Sequence, residues 1–326
     1  MDDRSLSGDA ERMPPFTYTR VKTAPCALIL PALLAVACSD GGVSPSDAGA
    51  ADAQDARDGG TDGAISAPSS CKRGIAYGHH TDADMSALQP AVRWWYNWAY
   101  QPDAELGSGT PGSLGVEYVP MVWGGTFDAE AMVANIPAGA TTLLGFNEPN
   151  FGEQSNLSAT AAAALWPDVE AIADARGLTL VSPAVNFCGG DCQDTNPFDY
   201  LDDFFAACDD CRVDHVAFHI YVGCHPPGDN KAQWLIDHVE TYKARFGQPL
   251  WLTEFACTDA TSFADQVAFL EDAVAYLESE PRIHRYAWFS GRFAGIPYVD
   301  LLGADGQLTP LGEAYVDAPA NAACTD

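Results

Sequence analysis

Short apolar runs alternate with amphipathic stretches of helical length through most of this sequence, from Cys71 to Cys324. Several runs are apolar at nearly every position, as in VAFHIYV, which is typical of parallel strands covered by helices on both faces. Eight strands alternating with helices over about 250 residues predict an α/β fold with the architecture of a single (β/α)8 TIM barrel. The predicted strands are residues 74–77, 92–98, 117–123, 142–147, 178–184, 213–221, 249–255 and 284–290.

Three of the intervening helices have recognisable ends. Ser158 caps a helix that stops at Gly177, the run KAQWLIDHVETYKARF stops at Gly247, and a third helix spans residues 262–279. Residues 102–115 carry no helical pattern and are predicted to form a loop. The competing architecture, a doubly wound open sheet, requires a Gly-rich nucleotide loop that GIAYG does not supply.

The residues before Cys71 form two segments that are distinct from the predicted barrel. Residues 1–38 carry Arg20 and Lys22 before an apolar run too short to span a membrane, which needs about 20 residues. This pattern predicts a signal peptide and export. The sequence LAVAC resembles a lipobox, which predicts a lipid anchor at Cys38 and a cell-envelope lipoprotein, with a cleaved secreted protein as the alternative. Residues 39–70 are a predicted disordered tether, and 71–326 the catalytic domain.

The charge of the chain limits its partners. The sequence has 45 acidic against 16 basic side chains, a formal net charge of −29. A surface this negative repels phosphate backbones and anionic membranes, so we expect no nucleic-acid partner. A neutral or cationic substrate is compatible with this charge.

A glutamate stands at the end of each of two predicted strands. The motif GFNEPN places Glu148 after the fourth strand, and WLTEFA places Glu254 at the end of the seventh. In such barrels reacting groups project from the carboxyl ends of strands, so both are expected on one face. A buried salt bridge or a cap is the alternative for either. Two carboxylic acids across a cleft perform glycoside hydrolysis, the acid with a raised pKa and the nucleophile with a lowered one.

Polar side chains at neighbouring strand ends are predicted substrate contacts. Asn147 is placed to donate a hydrogen bond to a sugar hydroxyl, and a strand-end turn residue is the alternative. His219 and Tyr221 share one face of the sixth strand. We expect the Tyr221 hydroxyl to hold the Glu254 carboxylate, although a packed tyrosine fits equally well. His219 is also a candidate substrate contact, but a core histidine whose hydrogen bonds are satisfied is the preferred interpretation.

Tryptophans at strand ends are candidate sugar platforms, because flat apolar sugar faces stack on indole rings. Core packing is the competing interpretation for every one of them. The predicted platforms are Trp98, Trp123 and Trp288, whereas Trp94 and Trp166 are assigned to packing.

The motifs KRGIAY, WWYNW, EYVPMVWG, LLGFNEPN, VSPAVN, VAFHIY, PLWLTEFA and AWFSGR resemble glycoside hydrolase family 128, within the clan of retaining (β/α)8 glycosidases. The resemblance covers residues 72–317 and implies action on β-1,3-glucan without a metal or organic cofactor. It implies Glu148 as acid/base and Glu254 as nucleophile, with carboxyl groups about 5–5.5 Å apart and retention through a covalent glycosyl-enzyme. It also implies substrate contacts at Asn147, Tyr221 and Trp288.

Eight cysteines follow the leader, an even number that indicates disulfides in an exported domain. Position along the chain suggests Cys71 with Cys324 and Cys224 with Cys257. The remaining four, spaced C-x3-C…C-x2-C, leave two interpretations open: disulfides among themselves, with a pairing that the sequence does not assign, or a zinc site. These four are Cys188, Cys192, Cys208 and Cys211.

Three functional hypotheses follow from the sequence. The first is a β-1,3-glucanase, expected to be monomeric and endo-acting. The second is a glycosidase of the same clan that acts on another β-glucan or on mannan. The third is a non-catalytic lipoprotein that binds glycans. The absence of GxSxG, HExxH and P-loop motifs argues against esterases, zinc proteases and NTPases.

Overall fold

The computed structural model describes residues 70–107 and 109–320. The predicted leader, nearly all of the predicted tether, and Cys324 lie outside them. None of the helices within these ranges has the length and apolar character needed to traverse a lipid bilayer. Eight strands and eight helices are described, in the order β1 Arg73–Ala76, α1 Asp82–Leu88, β2 Trp94–Tyr96, α2 Thr110–Leu114, β3 Glu117–Tyr118, α3 Ala129–Asn135, β4 Thr142–Leu144, α4 Ala159–Arg176, β5 Thr179–Val181, α5 Pro197–Ala207, β6 Val216–Val222, α6 Gln233–Arg245, β7 Leu250–Cys257, α7 Phe263–Ser279, β8 Ile283–Trp288 and α8 Pro310–Asp317.

All strand pairs are parallel. Six strands form one ladder in the order β3-β2-β1-β8-β7-β6, and β4 pairs with β5. Parallel bridges join these two groups at both edges, from Met121 to Leu144 and from Val181 to His215. The strands therefore follow one another around a closed ring, and the predicted (β/α)8 barrel is confirmed.

The predicted helix ends agree with the structure. The Ser158 and Ser262 side chains accept hydrogen bonds from backbone N–H groups of their helices, which satisfies donors that a helix start leaves unpaired. Gly177 ends α4 with φ 66°, a left-handed conformation that glycine adopts without a Cβ clash. The prediction of a loop at 102–115 was wrong in part, because α2 lies within it. That helix is five residues long, too short to display a periodicity.

The barrel core is dominated by large aromatic side chains. Trp94, Trp95, Trp166 and Trp251 are completely buried. A Cβ at Gly74 would stand 2.3 Å from the Trp94 ring, so the close packing of β1 on that indole requires glycine. The assignment of Trp94 and Trp166 to packing agrees with their complete burial.

Three disulfides lie within the described ranges. Cys224–Cys257 joins the carboxyl ends of β6 and β7, as predicted. The four remaining candidates pair locally, as Cys188–Cys192 and Cys208–Cys211. The disulfide interpretation therefore holds over the zinc interpretation, and the structure supplies the pairing that the sequence left open. The pairing of Cys71 with Cys324 stays a prediction.

Candidate active site

Glu148 lies just beyond the carboxyl end of β4. Its backbone N–H donates to the Ala184 carbonyl (2.8 Å), and its own carbonyl accepts from the Phe151 N–H (3.0 Å). The residue has φ 39°, a left-handed conformation that is uncommon for a non-glycine residue. These bonds turn the chain sharply after the strand, and the residue is left 8% exposed. The apolar run therefore ends with a carboxyl group held over the barrel mouth.

Glu254 lies within β7 and is 4% exposed. Its Oε1 accepts hydrogen bonds from the Tyr96 hydroxyl (2.9 Å) and the Trp98 indole N–H (2.8 Å). Its Oε2 accepts a short hydrogen bond from the Tyr221 hydroxyl. Three donors thus converge on one carboxylate, an arrangement that fixes its orientation and favours its ionised form.

His219 lies between the two glutamates. Its Nδ1 is 2.9 Å from Glu148 Oε1 and 3.5 Å from Glu254 Oε2, and its side chain is fully buried. One carboxylate oxygen of each glutamate and one ring nitrogen of His219 all lie within 4.8 Å of one another. The two carboxyl groups predicted from separate parts of the chain therefore meet in one site.

The electrostatics of this group follow from burial and mutual proximity. Burial raises the pKa of Glu254; the charge of Glu148 adds to that rise, whereas His219, Tyr221 and Trp98 oppose it. Burial acts to lower the pKa of His219, but the two carboxylates outweigh it and the net shift is upward. A protonated His219 offsets negative charge that the buried site would otherwise disfavour. The lowered pKa expected for Glu254 is thus wrong for the unliganded site, because burial outweighs its hydrogen-bond donors.

Asn147 precedes Glu148 and is also buried, at 4% exposure. Its Nδ2 is 3.4 Å from Gln154 Oε1, and its Oδ1 has no hydrogen-bond partner within the described structure. A buried amide oxygen without a hydrogen-bond donor costs free energy unless a bound molecule supplies the donor. Asn147 Oδ1 is therefore a buried acceptor without a partner in the residue next to Glu148, and its predicted substrate contact stays a prediction.

The three predicted platforms differ in their surroundings. Trp123 follows β3 with 42% of its surface exposed, as a platform requires. Trp98 is half-buried and directs its indole N–H to Glu254, so it orients the carboxylate. Trp288 is fully buried and donates to the Val299 carbonyl (2.9 Å). The prediction of a substrate contact at Trp288 is therefore contradicted by the structure.

Two residues of the site were missed by sequence reasoning. Tyr96 binds Glu254 from β2, and Phe289 packs its ring 5.5 Å from that of Tyr221 and 6.0 Å from that of Trp98. The alternation of side chains along a strand could have predicted Tyr96, because it lies two positions before Trp98 and therefore on the same face. The core interpretation of His219 agrees with its complete burial and its hydrogen bond to Glu148, whereas its predicted substrate contact stays a prediction.

Three groups of side chains have ligand atoms close enough to hold a metal ion, among the residues described. In the first, His219 Nδ1 already contacts a carboxylate oxygen of both Glu148 and Glu254, whereas its buried Nε2 has no hydrogen-bond partner among the described residues. In the second, the sulfurs of Cys224 and Cys257 are joined in a disulfide. The third lies in loops after β1 and β2 and is largely exposed; it comprises His79, Asp103 and Glu105.

Comparison with known proteins identifies the family. The model of the family described as "Glycosyl hydrolase catalytic core" matches residues 74–315. The crystal structure of a GH128 (subgroup II) endo-β-1,3-glucanase from Sorangium cellulosum is 64% identical, with a TM-score of 0.76, and the match covers 77% of this chain and 100% of that one. A GH128 (subgroup I) endo-β-1,3-glucanase from Amycolatopsis mediterranei, in complex with laminaritriose, is 29% identical, with a TM-score of 0.61, over 76% of this chain and 99% of that one.

Among curated proteins, alkali-sensitive linkage protein 1 of Schizosaccharomyces pombe is 29% identical over 261 residues, which is 75% of this chain. The match spans 44% of that protein's length, so the chain corresponds to less than half of it. The family model covers most of the chain, and the Sorangium enzyme aligns over its full length. The chain therefore belongs to glycoside hydrolase family 128.

Proposed function

We propose that this protein is an endo-acting β-1,3-glucanase that hydrolyses its substrate with net retention. The observation that carries the mechanism is the approach of the Glu148 and Glu254 carboxylate oxygens to within 4.8 Å. Retaining glycosidases hold their carboxyl groups about 5–5.5 Å apart, whereas inverting enzymes need about 6.5–9.5 Å to admit a water. The substrate follows from the family, since the Sorangium and Amycolatopsis relatives are both endo-β-1,3-glucanases.

The first step forms a glycosyl-enzyme. A Glu254 carboxylate oxygen attacks the anomeric carbon, and the glycosidic C–O bond breaks. Glu148 gives its proton to the departing oxygen and becomes a carboxylate. His219 contacts both groups, so its imidazolium stabilises the negative charge that moves from Glu254 to Glu148 during this step.

The second step regenerates the enzyme. Glu148, now a base, removes a proton from a water that attacks the anomeric carbon from the side vacated by the leaving sugar. The ester bond breaks and Glu254 leaves as a carboxylate. Trp98 and Tyr221 are already aimed at it, so the returning charge meets donors that need no reorganisation.

Two further side chains are candidate substrate contacts. Asn147 precedes Glu148 in the chain, and its buried Oδ1 lacks a hydrogen-bond partner that a sugar hydroxyl would supply. Trp123 offers an exposed indole at the end of β3 on which a pyranose face can stack. A neutral polysaccharide is also compatible with the strongly acidic chain.

Hydrolysis of linear β-1,3-glucan with product sizing tests the function. We expect oligosaccharides of intermediate length early in the reaction, which indicates endo cleavage, and we expect proton NMR to detect the β-anomer first. Release of glucose alone would contradict the endo assignment, and an α-anomer formed first would contradict retention. Hydrolysis of β-1,4-glucan or mannan in preference would contradict the substrate.

We further infer that the protein is exported and anchored by a lipid at Cys38. The leader pattern of residues 1–38 supports export, and the disulfides of the barrel suit an oxidising compartment. Labelling with a fatty-acid analogue should mark the full chain and leave a Cys38→Ser variant unlabelled. Equal labelling of both would contradict the anchor.

A further inference from the structure

The Tyr96 hydroxyl stands between two acceptors. It lies 2.9 Å from Glu254 Oε1 and 3.2 Å from the backbone carbonyl oxygen of Thr253, the residue before the nucleophile. A tyrosine hydroxyl has a single hydrogen and donates to one acceptor at a time. Burial, together with the nearby glutamates, raises the pKa of Tyr96 well above its ordinary value, so the hydroxyl keeps its hydrogen.

The ring of Tyr96 has little freedom to move. It is completely buried, stacks on Trp94 with ring centroids 6.1 Å apart, and meets Trp98 edge-on at 5.5 Å. Rotation about the C–O bond moves only the hydrogen, and both acceptors are within reach of that rotation. The choice between them therefore depends on which acceptor is stronger at each stage of the reaction.

The proposed reaction changes which of the two acceptors, Glu254 Oε1 or the Thr253 carbonyl, is the stronger. In the free enzyme Glu254 is a carboxylate, and a charged acceptor outcompetes a neutral carbonyl. In the glycosyl-enzyme Glu254 is an ester without charge, its C–O bond to the sugar having replaced the bond to the leaving oxygen. The Thr253 carbonyl then becomes the better partner. When the ester breaks, the charge and the stronger acceptor return together.

We propose that Tyr96 is a positioning residue whose hydroxyl hydrogen passes between Glu254 Oε1 and the Thr253 carbonyl during each catalytic cycle. The exchange leaves no buried donor unsatisfied in the covalent intermediate, and it restores a donor to the carboxylate as it departs. Tyr96 thus assists breakdown of the glycosyl-enzyme more than its formation. The inference rests on the proposed role of Glu254 as nucleophile.

The test uses Tyr96→Phe with an aryl β-laminaribioside whose leaving group is good. With this substrate kcat reports deglycosylation and kcat/KM reports glycosylation. We expect kcat to fall about tenfold or more, since a charge-assisted bond is lost, and kcat/KM to fall less than about threefold. Glycosyl-enzyme should accumulate in intact-mass spectra, and the acid limb of kcat/KM should move to higher pH.

Tyr242→Phe is the matched control, because Tyr242 is a buried tyrosine whose hydroxyl has no hydrogen-bond partner among the described residues. It should retain wild-type kinetics. Equal loss of kcat and kcat/KM in Tyr96→Phe, without accumulation of intermediate, would overturn the proposal, and so would unchanged kinetics. If the wild type neither cleaves this substrate nor forms a mass adduct, it is the proposed function that fails.

A measurement on the wild type avoids dependence on how the variant folds. A neutron crystal structure of the enzyme trapped as its 2-fluoroglycosyl ester should show the Tyr96 hydroxyl deuterium directed at the Thr253 carbonyl oxygen. In the free enzyme the deuterium should be directed at Glu254 Oε1. A deuterium directed at Glu254 in both states would overturn the exchange.

Discussion

Replacement of Tyr221 by phenylalanine removes one of the three donors that hold the nucleophile. The Tyr221 hydroxyl donates to Glu254 Oε2, whereas Tyr96 and Trp98 both donate to Oε1. Hydrogen bonds to charged groups contribute about 1.5–3 kcal/mol each. Since about 1.4 kcal/mol corresponds to a factor of ten, loss of this bond should lower kcat for a substrate with a good leaving group about 10- to 150-fold, because deglycosylation restores the charge that Tyr221 stabilises.

The same substitution should change the pH dependence. A donor to the charged form of a carboxyl group favours ionisation, so its removal raises the pKa. Burial already raises the pKa of Glu254, and Tyr221 is one of the groups that oppose this rise. The acid limb of the kcat/KM profile should therefore move to higher pH in Tyr221→Phe, with the alkaline limb less affected.

The assay is initial-rate hydrolysis of an aryl β-laminaribioside across the pH range, with thermal unfolding followed in parallel. Phenylalanine keeps the ring and its contact with Phe289, so the midpoint of unfolding should change by only a few degrees. Tyr242→Phe again provides the control. A wild-type kcat together with an unmoved acid limb of kcat/KM would refute the role of Tyr221. A large loss of stability would show that the effect comes from folding.

Three further predictions concern the acid, a disulfide and acid stability. Glu148→Ala should keep the first step with good leaving groups and gain a glycosyl-azide product with added azide; no azide product would argue against its role. Removing Cys224–Cys257, which are 33 positions apart, by serine substitution should destabilise the barrel by about 4 kcal/mol in chemical denaturation, and an unchanged midpoint would contradict this. Burial alone would raise the pKa of Asp84, but Arg292 lowers it to about 2. The Asp84 carboxylate therefore stabilises the fold above pH 4 and loses that effect as the pH falls towards 2. Asp84→Asn should lower the free energy of unfolding by about 2 kcal/mol at pH 6 and by little at pH 2.

The barrel and its two glutamates were accessible from the sequence because both depend on strong local patterns. Continuous apolar strands indicate parallel pairing, and a carboxylate at the end of such a strand is costly to bury unless it is paired or takes part in chemistry. This pattern of an apolar strand followed by a glutamate is contained in a short stretch of sequence, so it can be recognised even when the strand boundaries are wrong by a residue or two. Glu148 and Glu254 were therefore predicted from their own neighbourhoods, without knowledge of each other.

The predictions that were wrong depend on which face of a strand a side chain occupies and on how deeply it is buried. Trp288 and Phe289 are adjacent at the end of β8, and a shift of one position along a strand exchanges the face that a side chain occupies. Tyr96 lies in an aromatic run in which core packing and site contacts look alike. The upward shift of the Glu254 pKa depends on how deeply folding buries the group, and no local pattern encodes that depth.

The central claim is that Glu254 becomes covalently attached to the sugar. Incubation of the purified protein with a 2-deoxy-2-fluoro-β-laminaribiosyl fluoride, followed by intact-mass measurement and peptide mapping, tests it directly. We expect a single adduct on the peptide that carries Glu254, and no adduct in Glu254→Gln. An adduct on another residue, or active enzyme that forms none, would contradict the claim.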